Sequence, residues 1–419
     1  QARNSTLSEI FIHGEAGCVC IGIPALINTR NSTLFAFAEC RSSAGDGCSP
    51  SAGAGRSMPA PCKGTCIIVK RSSNSGRDWG APGFATGSCG GNPMPTWDAQ
   101  RKQIVLTFAD GTLKDAPFVQ QAAKIMSTVA AGDGPNVATR GAWLTPRLVT
   151  ATWPAAPGPN AGLQLRSPGA PFDGRLLFSG WSNNTGRACD VVVWFSDDGG
   201  GTFHRSASRI AGACETGLAQ LPNGSVLLLG NDGGTGAGTG FPGQSGPCPG
   251  NTLQHYLSDT GGASFSAVHC DASLVNAWSQ ASVLVVGQSL VVANPEGRDP
   301  SHAAATHRTK MVIHASESGG RSFRRVPVVF DEGAAEGRRP WAGYSSLVRL
   351  NETTDRWAGL GWESGAPGCE GSRCRVLFST FDVSTKTDDA ALRIWVQRDE
   401  PWANPQAARH FTSTPRVFG

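Results

Sequence analysis

Ser72-Ser73-Asn74-Ser75-Gly76-Arg77-Asp78-Trp79 is the first of four octapeptides that share one form, Ser-x-polar-x-Gly-x-polar-aromatic. The others are Ser196-Asp197-Asp198-Gly199-Gly200-Gly201-Thr202-Phe203, Ser258-Asp259-Thr260-Gly261-Gly262-Ala263-Ser264-Phe265 and Ser316-Glu317-Ser318-Gly319-Gly320-Arg321-Ser322-Phe323. Short polar side chains close a turn on their own backbone, glycine supplies a left-handed residue, and the last aromatic enters a core. The copies start at 72, 196, 258 and 316, so the gaps are 124, 62 and 58 residues. A period of about 60, with one copy too worn to see, predicts a small sheet repeated around an axis.

The octapeptide resembles the Asp-box of the sialidase family and its propeller relatives. Only Asp198 keeps the acid at the third position; Asn74, Thr260 and Ser318 replace it elsewhere. The resemblance implies a β-propeller, with these turns on the outside of the blades and away from the catalytic face.

A chain of 419 residues would ordinarily make two or three domains. In-phase repeats argue instead for a single closed toroid across 1–419, because each blade needs neighbours to cover its faces. At about 60–70 residues per blade the length allows six blades and their loops, an all-β six-bladed β-propeller. The 54 Gly and 27 Pro fit many tight turns. Ile67-Ile68-Val69, Val191-Val192-Val193-Trp194, Val226-Leu227-Leu228-Leu229 and Val283-Leu284-Val285-Val286 read as strands. Phe118–Met126 is the expected short helix. No apolar run reaches the roughly 18 residues of a membrane span. The net charge of +4 is scattered, with no basic stripe interleaved with aromatics, which argues against a nucleic-acid partner.

Thirteen cysteines point to an oxidising compartment. Cys18-x-Cys20, Cys62-x3-Cys66 and Cys369-x4-Cys374 mimic metal spacing, but the cysteines spread over the whole chain and no His pair stands beside them. Disulfides are therefore expected and a metal is not. Cys369–Cys374, Cys62–Cys66 and Cys40–Cys48 are plausible local loops, and the odd count leaves one thiol over. Sequons at Asn4, Asn31, Asn183, Asn223 and Asn351 agree with a secreted or lumenal glycoprotein. The chain opens at Gln1 with polar residues, as a processed protein would.

The resemblance to sialidases extends across most of the chain. Ile21-Gly22-Ile23-Pro24-Ala25-Leu26-Ile27 with Leu34-Phe35-Ala36-Phe37-Ala38-Glu39-Cys40-Arg41 is similar to the family's opening. Gly158-Pro159 through Gly162-Leu163-Gln164-Leu165, then Gly174-Arg175-Leu176-Leu177-Phe178, resembles its middle blade. Ser279-Gln280-Ala281-Ser282 and Ala342-Gly343-Tyr344-Ser345-Ser346-Leu347, followed by Gly361-Trp362-Glu363, continue the series in order.

The chain has only two tyrosines, Tyr256 and Tyr344. Tyr256 precedes an octapeptide and reads as strand packing. Tyr344 stands in the family's nucleophile motif, so the resemblance implies catalysis. The chemistry is coherent: the anomeric carbon of a 2-keto sugar acid carries a carboxylate, which repels a charged nucleophile. A neutral phenol attacks instead, and needs a base to take its proton. By resemblance that base is Glu215, in Cys214-Glu215-Thr216-Gly217-Leu218-Ala219-Gln220-Leu221. Asp46, in the loop after Arg41, matches the acid that protonates the leaving oxygen and later activates water. The same resemblance implies that Glu363 orients an arginine. The carboxylate would be gripped by Arg308, in His307-Arg308-Thr309-Lys310, with help from Arg41.

Two departures stand out. The family's first arginine should lie where Gly22 stands and its second near Asn231, yet no Arg occurs between 210 and 297. Each lost charge-assisted contact removes about 1.5–3 kcal/mol. His302 and His307 read as surface residues. Gly230-Asn231-Asp232-Gly233-Gly234-Thr235-Gly236-Ala237-Gly238 lacks the Lys-Ser/Thr of a phosphate loop and reads as a rim loop. Three functions stay open: a retaining exo-glycosidase of the sialidase type acting on glycans without cofactor, a propeller that binds glycans or matrix partners without turnover, and an enzyme for a related 3-deoxy-2-keto sugar acid.

Overall fold

The computed structural model describes residues 7–30, 32–42, 64–86, 89–110, 124–150, 155–182, 189–208, 210–231, 248, 252–266, 269–277, 279–296, 308–331, 342–350, 356–365, 375–384 and 392–395. These form six sheets, the blades of a propeller, antiparallel apart from one added strand. Blade I holds Cys20–Arg30, Thr33–Arg41, Thr65–Ser72 and Gly83–Phe84; blade II holds Gly90–Asp98, Gln103–Asp110, Ile125–Ala131 and Arg147–Thr150. Blade III is built on Ala156–Pro157, Leu176–Ser182, Asp190–Ser196 and His204–Arg205, with Leu163–Gln164 and Ile210–Ala211 as short additions. Blade IV runs Cys214–Gln220, Val226–Asn231, Thr252–Ser258, His269–Val275. Blade V runs Ser282–Val286, Ser289–Pro295, Met311–Ser316, Arg324–Asp331. Blade VI takes Ala342–Arg349, Trp357–Ser364 and Arg375–Asp382 from late in the chain and Leu7–Ile12 from its start.

That pairing of Leu7–Ile12 with Arg375–Asp382 closes the ring. Closure leaves fewer unpaired sheet edges for another chain to add to. Leu392–Trp395 adds a parallel strand outside Arg324–Asp331.

The first strand of each blade lies nearest the axis. Cys20–Arg30 packs against both Gly90–Asp98 and Ala342–Arg349, and Ser282–Val286 against both Cys214–Gln220 and Ala342–Arg349. Blades stack face on face, so a middle strand is covered on both sides. Hence Val191, Val192, Val193 and Trp194 are all buried. A continuous apolar run, rather than strict alternation, is the pattern for such a strand.

Each octapeptide joins the third strand of a blade to its fourth, in blades I, III, IV and V. One bonding scheme recurs. The glycine N–H donates to the first serine hydroxyl in all four, from Gly76, Gly200, Gly262 and Gly320. The third side chain accepts from the backbone N–H of the seventh residue: Asn74 from Asp78, Asp198 from Thr202, Thr260 from Ser264, Ser318 from Ser322. Amide, carboxylate and hydroxyl oxygens all serve, so the acid itself is dispensable to the turn. The glycines sit at φ of 82°, 89°, 83° and 93°, a region that side chains disfavour. The aromatic then anchors the turn, as where Trp79 meets Phe378 edge-on at 5.6 Å. In blade II the same connection follows Ala131 as Gly132-Asp133-Gly134, without the motif. In blade VI the connection does not exist, because the fourth strand comes from the other end of the chain.

Three expectations need correction. The end of the expected helix Phe118–Met126 that is described, Ile125 and Met126, is strand, and the described helices are three short 3-10 turns. Cys40 pairs with Cys18, not Cys48. Cys66 is a buried free thiol, not bonded to Cys62. Local spacing misled here because the sheet brings residues from separate strands side by side. Cys189–Cys214 and Cys248–Cys270 are also bridged, and Cys20 and Cys89 are disulfide-bonded, so at least four bridges exist. Cys369 and Cys374 lie outside the described residues.

Candidate active site

The inner strands of blades I, II, IV and VI each carry a β-bulge at the same end. The bulges lie between Gly22 and Ala25, Gly91 and Met94, Cys214 and Gly217, and Ala342 and Ser345. An extra residue bends the strand and re-aims a side chain. In three bulges the first inserted residue is left-handed without being glycine: Ile23 at φ 56°, Asn92 at 51° and Glu215 at 42°. Such conformations cost about 1–3 kcal/mol each and persist where surrounding contacts hold them.

Two buried carboxylates hold the first two of these. Glu363, on the second strand of blade VI, is fully buried and accepts the Ile23 N–H at 2.7 Å and the Tyr344 N–H at 3.1 Å. Glu39, on the second strand of blade I, is 1% exposed and accepts the Asn92 N–H at 2.6 Å. Each carboxylate thus ties the inner strand of the next blade to its own. Burying a carboxylate without such partners would be costly. The other Glu39 oxygen takes Arg41, with Nε at 2.7 Å and Nη2 at 2.6 Å.

The third bulge presents Glu215 to Tyr344. The Tyr344 hydroxyl donates to Glu215 Oε1, and Asn231 Nδ2 donates to Glu215 Oε2 at 2.9 Å. Asn231, 2% exposed, ends the second strand of blade IV, opposite Cys214 in register. Cys214 is bridged to Cys189 at the edge of blade III, which braces the bulge from behind. Glu215 and Tyr344 remain half-buried and open to solvent. Arg308 places its guanidinium carbon 4.8 Å from the Tyr344 ring centroid, and its carbonyl accepts the Ala342 N–H at 2.9 Å. A guanidinium over a phenol ring favours electron-rich π density and any negative charge that develops there.

The ring therefore brings Tyr344, Glu215, Asn231, Arg308 and Glu363 together from blades IV, VI and the segment entering the third strand of blade V. Gly22 adjoins Ile23 and faces Glu39 in register. Arg41 is bound to Glu39, and Glu363 grips backbone rather than serving only an arginine. Asp46, His302 and His307 lie outside the described residues, as do Asn4, Asn31, Asn183, Asn351 and most of the Gly230–Gly238 stretch. Asn223 is exposed in the hairpin turn of blade IV. Tyr256 packs in the core with its hydroxyl on Gln254 at 2.9 Å, and burial pushes its phenol up to about 12. Glu39, Ile23 and Asn92 were not singled out as site residues by sequence reasoning. A lone acid ending the apolar strand Leu34–Ala38 was the available signal for Glu39.

The arrangement can move a proton from a phenol to a carboxylate and leave a nucleophilic oxygen on a half-buried side chain.

No protein-family profile matches the chain. The chain is 24% identical to a sialidase of Micromonospora viridifaciens over 380 residues, 86% of this chain and 52% of that protein. It therefore spans about half the length of that curated relative. Among solved structures it matches a Hadza microbial sialidase, with TM-score 0.63, 18% identity and 88% of this chain on 66% of the other. The leech intramolecular trans-sialidase gives TM-score 0.63 at 13% identity, over 91% and 71% of the two chains. The intramolecular trans-sialidase of Ruminococcus gnavus gives 0.62 at 13%, over 90% and 97%. At these identities the likeness is one of fold: a six-bladed β-propeller resembling the sialidase-fold glycoside hydrolases.

Proposed function

We propose that this chain is a retaining exo-glycosidase that removes terminal sialic acid, or a related 2-keto-3-deoxy sugar acid, from glycans. The observation that carries the reading is the hydrogen bond from the Tyr344 hydroxyl to Glu215. A lectin has no use for a paired nucleophile and base, and sialidases are the glycosidases that use tyrosine in place of a second carboxylate.

In the first half-reaction the Tyr344 oxygen attacks the anomeric carbon and its proton passes to Glu215. The bond to the leaving oxygen breaks, and Asp46, assigned from the sequence alone, gives that oxygen a proton. An aryl ketoside between the sugar and the Tyr344 oxygen is left. In the second, Asp46 takes a proton from water, the resulting hydroxide attacks the same carbon, and Tyr344 departs with the proton held by Glu215. Arg308 grips the substrate carboxylate, with Arg41 assisting from Glu39. Glu363 sets the backbone height of Tyr344. The disulfides accord with an extracellular or lumenal protein, and glycans at the five sequons would suit the same setting.

A second reading, a non-catalytic propeller that binds glycans or matrix partners, is favoured by one feature. Position 22 has no side chain and position 231 carries a neutral amide, where the resembled family has two guanidinium groups.

Fluorogenic α-ketosides of several nonulosonic and ulosonic acids separate the readings. Turnover by the wild type that falls by about 1,000-fold or more in Tyr344→Phe is expected. Equal turnover by the two proteins would remove Tyr344 from the mechanism, and no turnover with intact glycan binding would favour the second reading.

A further inference from the structure

We propose that Asn231 is the positioning residue for the base: a neutral amide that aims Glu215 at the Tyr344 hydroxyl without drawing on its charge. The proposal deepens the glycosidase reading and rests on it for its kinetic arm only.

Glu215 has a left-handed backbone in a bulge, so its side chain projects from the inner strand rather than along a sheet face. Left to itself, a half-buried glutamate would rotate among several orientations. Its two oxygens are instead held from different blades, Oε1 by Tyr344 of blade VI and Oε2 by Asn231 of blade IV. The carboxylate can only accept, so the amide must turn its NH2 toward Oε2, and its orientation is set by the bond. Asn231 is itself buried: 2% exposed, at a strand end and opposite a disulfide-bonded cysteine.

The donor's neutrality matters as much as its aim. A cation in hydrogen-bond contact with a carboxylate lowers its proton affinity, and an anion raises it. The amide orients the carboxylate and adds no unit charge. Among the described residues, Arg308 lies over the Tyr344 ring and Glu363 beneath the Tyr344 backbone. Proton affinity at Glu215 is therefore tunable from position 231.

The two-tyrosine composition allows a test that needs no substrate. With tyrosine labelled at the ring carbon bearing oxygen, the NMR spectrum contains one resonance from Tyr344 and one from Tyr256. Tyr256 is buried on Gln254 and serves as the folding control. In the wild type the Tyr344 resonance should step in the acid range as Glu215 takes a proton. Asn231→Asp should move that step up by about one pH unit or more, because two carboxylates then share the contact. Asn231→Leu should lose at least about half of its amplitude, because the carboxylate turns away. On a cleavable ketoside both variants should lose about 10-fold or more in kcat with KM changed by less than about 3-fold. No acid-range step in the wild type, or steps unmoved in both variants while Tyr256 keeps its native shift, overturns the proposal. The expected NMR changes in a protein that cleaves no ketoside uphold the positioning role and sink the glycosidase reading.

Discussion

The Tyr344 hydroxyl donates to the Glu215 carboxylate across 129 residues of chain, joining the inner strand of blade VI to that of blade IV. The two strands do not pair with each other. Ser282–Val286 of blade V lies between them and packs on both. Their bulges lie at the same end of the two strands, so this contact reports how blades IV, V and VI stack. Its neighbours give further measurable consequences.

Glu363 accepts two backbone N–H groups, from Ile23 and from Tyr344. Glu363→Gln keeps the shape but leaves one N–H facing an NH2. Stability should fall by about 1–3 kcal/mol, the cost of one buried donor without an acceptor. Urea unfolding checks this, and a wild-type midpoint would reject the clamp.

Asp198 gives the octapeptide scheme a pH signature. Burial raises its proton affinity, but the Thr202 N–H, the Ser196 and Thr202 hydroxyls and the Gly201 N–H outweigh that and hold it at about 2, below the usual 3.8. A depressed carboxylate stabilises the fold above its unfolded value, and the effect is lost as pH falls through the folded one. Asp198→Ala should therefore cost about 1 kcal/mol near neutrality, a modest figure for an exposed group. The gap to wild type should narrow between pH 4 and 2. Thr260→Ala, at the same position of another copy, removes no titratable group and should show a flat gap in urea titrations over that window.

His255 should make the seam between blades IV and V acid-sensitive. Burial, followed by the neighbouring His269, lowers it to about 4 despite the opposing Asp271. Burial also lowers His314 across the seam, where Glu296 and Arg325 pair at 3.1 Å. A histidine kept neutral by the fold stabilises it fully above 6.5, and that stability erodes as pH falls to about 4. Melting temperature should drop over this window. His255→Gln should take up about one proton fewer on unfolding and show a shallower slope. An unchanged slope would remove His255 from the seam.

The cysteines give a chemical test. Cys189–Cys214 closes a separation of 25 residues behind Glu215, so replacing both by alanine should remove about 3 kcal/mol. Cys66 is 3% exposed and burial pushes its thiol up to about 11. Mass spectrometry after native alkylation should find Cys66 unmodified, and after alkylation in denaturant should find it labelled. Rapid native labelling would contradict its burial.

Much of this architecture was legible in the chain. Four octapeptides in phase implied stacked small sheets, and each proves to join the third and fourth strands of a blade. The worn copy corresponds to Gly132-Asp133-Gly134 of blade II. The runs at Ile67, Val191, Val226 and Val283 are middle or inner strands, apolar throughout because blades cover both faces. Ile125 and Met126, at the end of the expected helix, are strand because local composition does not reveal that Ile125–Ala131 pairs with Gln103–Asp110. Cys40 failed with Cys48 because a bridge follows distance in the sheet, where Cys18 lies closer than the spacing suggests.

The sequence by itself determined the repeat and the blade count, and its resemblance to the sialidases pointed to Tyr344 and Glu215 as a candidate pair. These are properties of local pattern: a turn needs its glycine, a covered strand its apolar run, and a motif its residue types. Only the tertiary structure decided what holds that pair. Glu363 gripping Ile23 and Tyr344, Glu39 gripping Asn92 and Asn231 gripping Glu215 are contacts between residues whose chain spacing carries no signal. They exist because bulged inner strands gather around the axis, where a buried carboxylate or amide finds its partner on a paired strand, as Asn231 does, or on the next blade, as Glu363 and Glu39 do.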